Sequence, residues 1–551
     1  MEQSTESTRV SSCSDCFRFR RIRNLVPVDF KKEVKELSIL AGPMIISQVM
    51  NFSVTFVSTI FCGHLGKTEL AAVTLAAAVI NVTGTSIGIG LAAACDTLVS
   101  QTFGSNNLLR VGLILQRAVL IQLLACFPCW ALLINTELIL LAVKQEPEVA
   151  RLSQLYVTIF MPALPAIFSY ALLSRYLQNQ GIIWPQVITG IMANLLNALF
   201  NYVALYPLNL GVAGSALANT LSQFSMVGVL FSYMNWRGLH KATWGGWSKE
   251  CLQDWGSFIH LAIPSMFMLC AEWWTYEIGS FLAGLISEVE LGAQSVVYEL
   301  STIAFMFPLG FSIAGNVRVG NALGAGNTEQ AKLSAKTALF CAVLVSVCLA
   351  VLFGGLKDYI AYIFTDDEQI RLRVSDIISL YAPFVLLDAA SAAFGGIIRG
   401  AGKQRDGAIF YFFGFYGVVF PIGIPLMFIV KLGIKGLWIG FFIGVSLQNL
   451  LLVVYLIRLD WKKVTVEALK RAGVLGNATE TSIQPNDSEN SQGQTETMEL
   501  AGSQAGPVGN AVTGELPFRT VVLRRGLALA AMLFILAAGI IINLLVTDFV
   551  T

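Results

Sequence analysis

Four carboxylates set the problem. Glu272, Glu277, Glu299 and Asp388 fall inside long apolar stretches of the sequence. In such a stretch an ionisable side chain costs about 2.5–3.5 kcal/mol even on the lenient insertion scale. No basic residue lies mid-stretch to neutralise them, since Arg117 sits toward an end. Burial without a basic partner opposes ionisation of a carboxyl, so such a group can hold a proton and a cation in alternation. That is the minimum device for exchanging one against the other. Glu272 and Glu277 are five positions apart, about 140° round a helix and ~7.5 Å along it, so they cannot both point at one spot on a straight helix. Glu272 shares a face with Tyr276, and Glu277 with Trp273. Trp273, Trp274, Tyr276 and Tyr298 supply aromatic faces suited to a lipophilic cation, although at least two of them are expected to pack against lipid or protein. Pro383, five residues before Asp388, offers a kink point.

The competing reading is that the acids only hydrogen-bond neighbouring helices, which fits one of them better than all four. Elsewhere Gln48, Asn51, Asn81, Asn194, Asn197 and Asn201 are the polar candidates. Interhelical hydrogen bonding is expected for most, while Gln48 and Asn81 are candidates to line a substrate path. Asp96 lies near the end of its stretch and reads as solvated. The sequence has no Walker loop, HExxH or nucleophile elbow. An enzyme is therefore not expected, and energy must come from an ion gradient or the solute's own.

The elements that position these residues are membrane spans. The 551 residues are 55% hydrophobic and 13% charged, against about 25% charged in soluble domains, and the mean hydropathy is +0.68. Apolar runs of bilayer-crossing length recur almost throughout. Six are centred in Leu37–Cys62, Val73–Cys95, Val111–Ile134, Leu155–Tyr176, Val187–Leu205 and Ser215–Met234. Six more lie in Leu261–Ile286, Ala293–Ile313, Ala338–Leu356, Ile377–Ile398, Ile409–Val430 and Leu437–Ile457, and a thirteenth in Gly526–Val546. Arg110, Arg117, Arg175, the Arg237–Lys249 stretch, Arg318, Arg399, Lys403, Arg405, Arg458, Lys462 and Lys463 fall on alternate short loops and adjoining span ends, and the intervening loops hold few beyond Lys67, Lys144, Arg151, Lys357, Arg371, Arg373, Lys431 and Lys435. By the positive-inside rule the N-terminus and the segment after span twelve are then cytoplasmic and the C-terminus extracellular. Residues 464–519, rich in Ser, Thr, Gln, Asn and Glu, cannot bury a core and read as disordered. The Asn477 and Asn486 sequons fall in that tail, so neither is expected to carry a glycan. A net charge of +1 with no basic, aromatic-interleaved patch argues against nucleic acid.

The chain repeats itself. Pro43 and Pro264, Glu69 and Glu290, Pro162 and Pro383, and Gly181 and Gly402 are each 221 apart, and Gly211/Gly433 and Gly214/Gly436 follow at 222. Each half holds an even number of spans, so both enter from the same side: a parallel repeat that places a site between rocking halves. At the same offset the four acids correspond to Asn51, Phe56, Ala78 and Ile167, all uncharged. Maintenance of the fold does not predict charge in one half alone.

The ten cysteines suggest no disulfide framework, most lying in or beside apolar spans. The CxxC pairs Cys13/Cys16 and Cys126/Cys129 each stand alone, so no metal site is expected; lipidation of Cys13 or Cys16 is a weak alternative. The stretches AGPMIISQVMN (41–51), GHLGKTELAAVTLA (63–76), CDTLVSQTFGSNN (95–107), YLQNQGIIWPQ (176–186), AIPSMFMLCAEWWTYE (262–277), ELGAQSVVYEL (290–300), RVGNALGAGN (318–327) and IIRGAG (397–402) resemble the multidrug and toxic compound extrusion family over about residues 35–460. The thirteenth span resembles the vertebrate branch of that family. The resemblance implies two six-helix lobes round a V-shaped cleft, exchange of protons for organic cations and cationic drugs, and use of second-lobe acids at Glu272, Glu277 and Glu299. At the fourth position the vertebrate pattern has Glu where this chain has Asp388, which keeps the carboxylate and shortens its reach. The acid that bacterial relatives carry in the first span is absent, with Gln48 and Asn51 there instead.

The expected fold is an all-α integral membrane protein with two lobes and an added helix. The parts are a cytoplasmic N-terminal segment (1–34), lobes 35–235 and 261–460 joined by a linker (236–260), a disordered linker (461–525), and the last span with the C-terminus (526–551). It is expected to act as a monomer in the plasma membrane, apical in epithelia, without cofactor. A lipid flippase or a facilitator-type carrier is the nearest alternative, and a receptor or channel the alternative from another class. A flippase should present a cationic cleft to phosphates, and a receptor or channel needs no repeat and no proton-titrating pocket.

Overall fold

A bilayer interior offers no partner to an unbonded peptide group, so a spanning segment closes its own hydrogen bonds as a helix. In this computed structural model, which describes residues 28–63, 66–365, 367–474 and 517–550, the regular structure of the described residues is helical throughout. Eleven helices there are long and apolar enough to cross a membrane. Gly211–Trp236 and Trp255–Gly284, of 26 and 30 residues, complete the thirteen; Ser, Asn and Gln in one, and Trp, Tyr and Glu in the other, dilute the hydropathy without shortening the helix.

Spans one to six are Val28–Gly63, 67–104, Leu108–Leu133, 147–178, Trp184–Leu205 and Gly211–Trp236. Spans seven to twelve are Trp255–Gly284, Glu288–Gly324, Thr328–Leu356, Glu368–Ala401, 404–428 and Ile434–Arg458, and span thirteen is Phe518–Val550. Several outrun the apolar centres read from sequence, because polar ends continue the helix beyond the hydrocarbon. Spans two and eight, repeat partners, each give a 37-residue stretch, Thr68–Gly104 and Glu288–Gly324.

The repeated glycines have a backbone cause. Gly181 (φ 76°) and Gly402 (φ 72°) end spans four and ten in the left-handed region, and Gly211 (φ 56°) and Gly433 (φ 62°) do so before spans six and twelve. A side chain there is strained, so the two halves keep glycine at equivalent turns. Pro43 and Pro264 sit inside spans one and seven.

The cores follow the repeat as well. A main apolar core lies within each half, with a smaller cluster beside it. Two more straddle the halves: span one packs against spans eight, nine and ten, and span seven against spans two, three and four, with Leu230 and Met234 of span six added. Exchanging each of these spans for its repeat partner, one for seven, eight for two, nine for three and ten for four, turns one arrangement into the other.

Two readings need correction. The segment 461–525, read as disordered, begins with the helix Trp461–Arg471, capped by the Asp460 side chain and burying Val464, Thr465 and Ala468. Those residues recur at helical spacing, a signal lost in the polar composition around it. Its other end, from Phe518, already belongs to span thirteen; residues 475–516, with Asn477 and Asn486, lie outside the described residues, as do Cys13 and Cys16. Asp96, read as solvated, is 1% exposed. It pairs with Arg175 of its own half and with Arg399 Nε of the other at 3.3 Å.

That pair opens a seam at the end of the molecule that carries most of the basic residues. Thr97 Oγ1 donates to the Arg399 carbonyl, Gln101 Nε2 to the Gly400 carbonyl at 2.9 Å, and Asn316 Nδ2 to Asn179 Oδ1 at 3.2 Å. Arg318 grips Glu33 of span one with Nε at 2.9 Å. Spans two and eight meet backbone to backbone here: a Cβ at Gly104 would strike the Asn321 carbonyl, and one at Gly324 the Gln101 carbonyl. Small residues let the two helices close in, and the basic end is sealed.

Candidate functional site

Span seven carries Glu272 and Glu277 on different faces, and the second half receives them in two groups. Glu272 and Asp388 of span ten lie within electrostatic reach of each other. Tyr276 and Tyr411 are within reach of both. Asn449 Nδ2 donates to the Leu387 carbonyl at 2.7 Å, fixing the turn that bears Asp388. Tyr411 donates to the Ser391 carbonyl at 2.7 Å and Gln448 to Ser391 Oγ at 2.9 Å, fixing the turn that follows. Glu277 instead accepts from the Tyr298 hydroxyl at 3.3 Å and lies within electrostatic reach of Glu299.

An aromatic wall joins the groups. Tyr276 stacks on Phe441 with ring centroids 4.9 Å apart, and stands 6.0 Å from Tyr298 and 6.4 Å from Trp438. Trp438 is fully buried, 5.4 Å from Tyr381 and 5.6 Å from Phe384, and its indole N–H donates to Gln294 Oε1 at 3.0 Å. Sequence reading missed Trp438, Phe441, Tyr381 and Tyr411. A signal existed: Tyr381 is two helical turns before Asp388, and Trp438 and Phe441 are three apart, so each pair shares a face.

Hydrogen bonding separates the four acids. Tyr298 serves Glu277, whereas Glu272, Glu299 and Asp388 have neither a hydrogen bond nor an ion pair among the described residues. Asp388 is only 7% exposed. Buried polar groups ordinarily find partners; carboxyls without any are suited to a proton or a cationic ligand. Arg399, read among the charges of loops and adjoining span ends, sits in the last turn of span ten, 13% exposed. It pairs with Asp96 and lies within electrostatic reach of Glu272.

The other sequence candidates disperse. Trp273 is half-buried and has no ring contact among the described residues. Trp274 faces the first half, its indole N–H shared between the Val82 carbonyl and Ser86 Oγ, both at 3.2 Å. Val82 lies in a wide turn, Asn81–Thr85, the kind that leaves backbone groups open to an outside donor. Asn81, in that turn, is exposed; Gln48 is half-buried; neither hydrogen-bonds an acid. Asn51 accepts from the Tyr170 hydroxyl at 3.2 Å and Asn194 donates to the Met50 carbonyl at 2.8 Å. Asn197 and Asn201 join Ser58, Asn219 and Ser222 in a neutral cluster. Cys126 and Cys129 are buried thiols, and no metal-holding group of His, Cys, Asp and Glu occurs among the described residues.

A single family model, MatE, matches the chain twice, over residues 43–203 and 264–424. The chain belongs to the MatE family. Its two matches start 221 residues apart (264 − 43) and end 221 apart (424 − 203), the offset of the repeated prolines and glycines. The chain is 60% identical to multidrug and toxin extrusion protein 1 of Danio rerio, covering 98% of this chain and 94% of that protein. It is 49% identical to the Homo sapiens protein of the same name, covering 93% and 94%. Among solved structures, the eukaryotic MATE transporter AtDTX14 superposes with a TM-score of 0.78 at 29% identity, over 80% of this chain and 99% of that one. A MATE protein in a bent conformation, at 18% identity and a TM-score of 0.68, shares the fold. These MatE relatives are named as transporters, and this chain is a membrane transporter and not an enzyme.

Proposed function

We propose that this MatE protein exports organic cations and cationic drugs in exchange for protons. The supporting observation is the set of carboxyls without partners, Asp388 buried and Glu272 and Glu299 half-buried, beside aromatic faces and confined to one lobe. Deprotonated Glu272 or Asp388 attracts the cation, with Tyr276 facing its apolar body and Phe441 stacked behind Tyr276. Glu277 and Glu299 support the proton exchange, and protonation from the side opposite the basic end releases the cargo. The sealed basic end then corresponds to the outward-facing arrangement of an alternating-access cycle. The names of the relatives, multidrug and toxin extrusion proteins, support the cargo class. The run of arginines at one end supports a plasma-membrane protein with that end and its N-terminus in the cytoplasm and its C-terminus outside. It acts as a monomer, apical in epithelia, with each lobe completing the other's seam.

Proteoliposomes holding Glu272→Gln are expected to lose uptake of tetraethylammonium driven by an outward-directed proton gradient, with unchanged reconstitution. Normal exchange in that variant would sink the assignment. Asp388→Glu, which restores the longer vertebrate side chain, is expected to keep exchange and change the ranking of cations of different size; an unchanged ranking argues against contact between Asp388 and cargo.

A further inference from the structure

At the basic end a cavity of about 1090 Å³ opens where three parts of the chain meet. The first lobe contributes the start of span three. The second contributes the start of span seven, the Gly402–Asp406 corner and the helix Trp461–Arg471, and span thirteen adds Val521 and Arg525. The lining holds seven Arg and Lys side chains against four acids. Three of those acids are already engaged. Asp254 takes Ser257 at 2.6 Å and Arg117 at 3.5 Å, Glu467 takes Lys403 at 2.7 Å and Arg471 at 3.1 Å, and Asp406 takes the Tyr455 hydroxyl.

The cations are not all engaged in return. Arg110 of the first lobe and Arg405 of the second have neither an ion pair nor a hydrogen bond among the described residues. Arg117, 12% exposed, makes only long bonds of 3.4 and 3.5 Å, and its buried Nε has no partner. It lies within electrostatic reach of Arg110, a like charge. Arg525 donates to the Leu252 carbonyl at 2.9 Å and covers the Trp255 ring at 4.1 Å, with no ion pair. Membrane orientation accounts for basic residues at this end. It does not account for unpaired guanidinium groups from both lobes converging on one cavity.

We propose that this cavity binds a polyanionic phosphate group, with Arg110 and Arg405 as its ligands from opposite lobes and Arg117 and Arg525 beside them. Guanidinium forks match phosphate oxygens in pairs. Basic pockets between helix ends at the inner surface suit the headgroup of a phosphorylated inositol lipid, and the volume suits a group of that size. A ligand held by both lobes binds the sealed basic end better than an opened one, and so shifts the population toward it. The site is distinct from the acids of the transport path, and its binding is measurable without transport.

The test uses the full chain in nanodiscs of phosphatidylcholine with and without phosphatidylinositol bisphosphate, with bound lipid counted by native mass spectrometry. Wild type is expected to retain the lipid. The Arg110→Ala, Arg405→Ala pair is expected to lose at least about tenfold in affinity, or 1.4 kcal/mol, with an unchanged melting midpoint in phosphatidylcholine alone. The matching pair of Lys substitutions should recover part of the binding. Lys462→Ala with Lys463→Ala, an exposed basic pair outside the cavity, should change little. Displacement by soluble inositol trisphosphate at equal concentration supports the site and points to a free phosphate ligand; resistance to it supports the site and points to the lipid. Undiminished binding in the Arg110/Arg405 pair, or an equal loss in the Lys462/Lys463 pair, overturns the proposal.

Discussion

The two lobes answer the same physical demand, polar groups inside a membrane, in opposite ways. In the first lobe Ser58 donates to Asn219 at 2.7 Å, Asn197 to Ser222 at 3.0 Å, and Asn219 to the Tyr156 hydroxyl at 2.6 Å. That cluster is neutral and its members serve one another. The second lobe adds four carboxyls to its neutral bonds, Asp388 buried and the other three half-buried, and three of the four find no partner among the described residues. A satisfied network rigidifies; an unsatisfied one waits for a ligand. The equivalent places differ in kind: Ser58 and Asn219 correspond by the repeat to Gly279 (58 + 221) and Phe441 (219 + 222), where the second lobe packs against Leu437 and Tyr276 instead of hydrogen-bonding.

The seam belongs to both lobes, and breaking it should give the largest effect. Asp96→Asn leaves the Arg175 and Arg399 guanidiniums without their counter-charge, a loss of about 3–5 kcal/mol, read as a lower melting midpoint of the purified protein. An unchanged midpoint would mean that these charges are solvated and the lobes are joined by packing alone.

The second test moves the charge across the repeat. Glu272→Gln should lower proton-driven exchange at least about 100-fold, equivalent to 2.7 kcal/mol. Adding Asn51→Glu, the equivalent position of the first lobe, should not restore it. Recovery in the double variant would show that the lobes are chemically interchangeable and dissolve the contrast drawn above.

Third, Asn197→Leu in the neutral cluster should cost about 1–3 kcal/mol of stability through the partners it strands. Exchange per folded molecule should stay the same. A specific loss of exchange at unchanged stability would move the first lobe's cluster into the transport path. The smallest effect is expected of Trp274→Phe, which removes one indole N–H from the Val82 carbonyl and Ser86. About 0.5–1.5 kcal/mol is at stake, measured as a melting shift, and no shift would mean that water takes over the turn.

The fold was legible where periodic physics governs it. Apolar length marked the spans, and the offset of 221 marked the halves because left-handed turns at Gly181 and Gly402 tolerate little else. The four acids stood out because charge is costly in hydrocarbon. What stayed hidden depends on which faces meet. Asp96 looked solvated because its partner Arg399 lies 303 positions away (399 − 96), on the other lobe. Trp438 looked like any apolar-span aromatic until span twelve brought it against Tyr276. The helix Trp461–Arg471 was masked by polar neighbours, since a short amphipathic element gains its order from the surface it covers.

Spans two and eight are equal in length but unequal in stiffness. At about 1.5 Å per residue, 37 residues make a rod of ~55 Å; tipped about ten degrees around its midpoint, each end travels ~5 Å, more than enough to part hydrogen bonds of the seam. Span eight is a single helix across that length, with Pro308 as its one proline between Glu299 and Gly324, so a push at Glu299 reaches Gly324 through one kink point. Span two is jointed at its wide turn and again at Ala93, and bends where its partner would swing. Mechanically, the lobe that holds the acids carries the handle, and the neutral lobe carries the hinge.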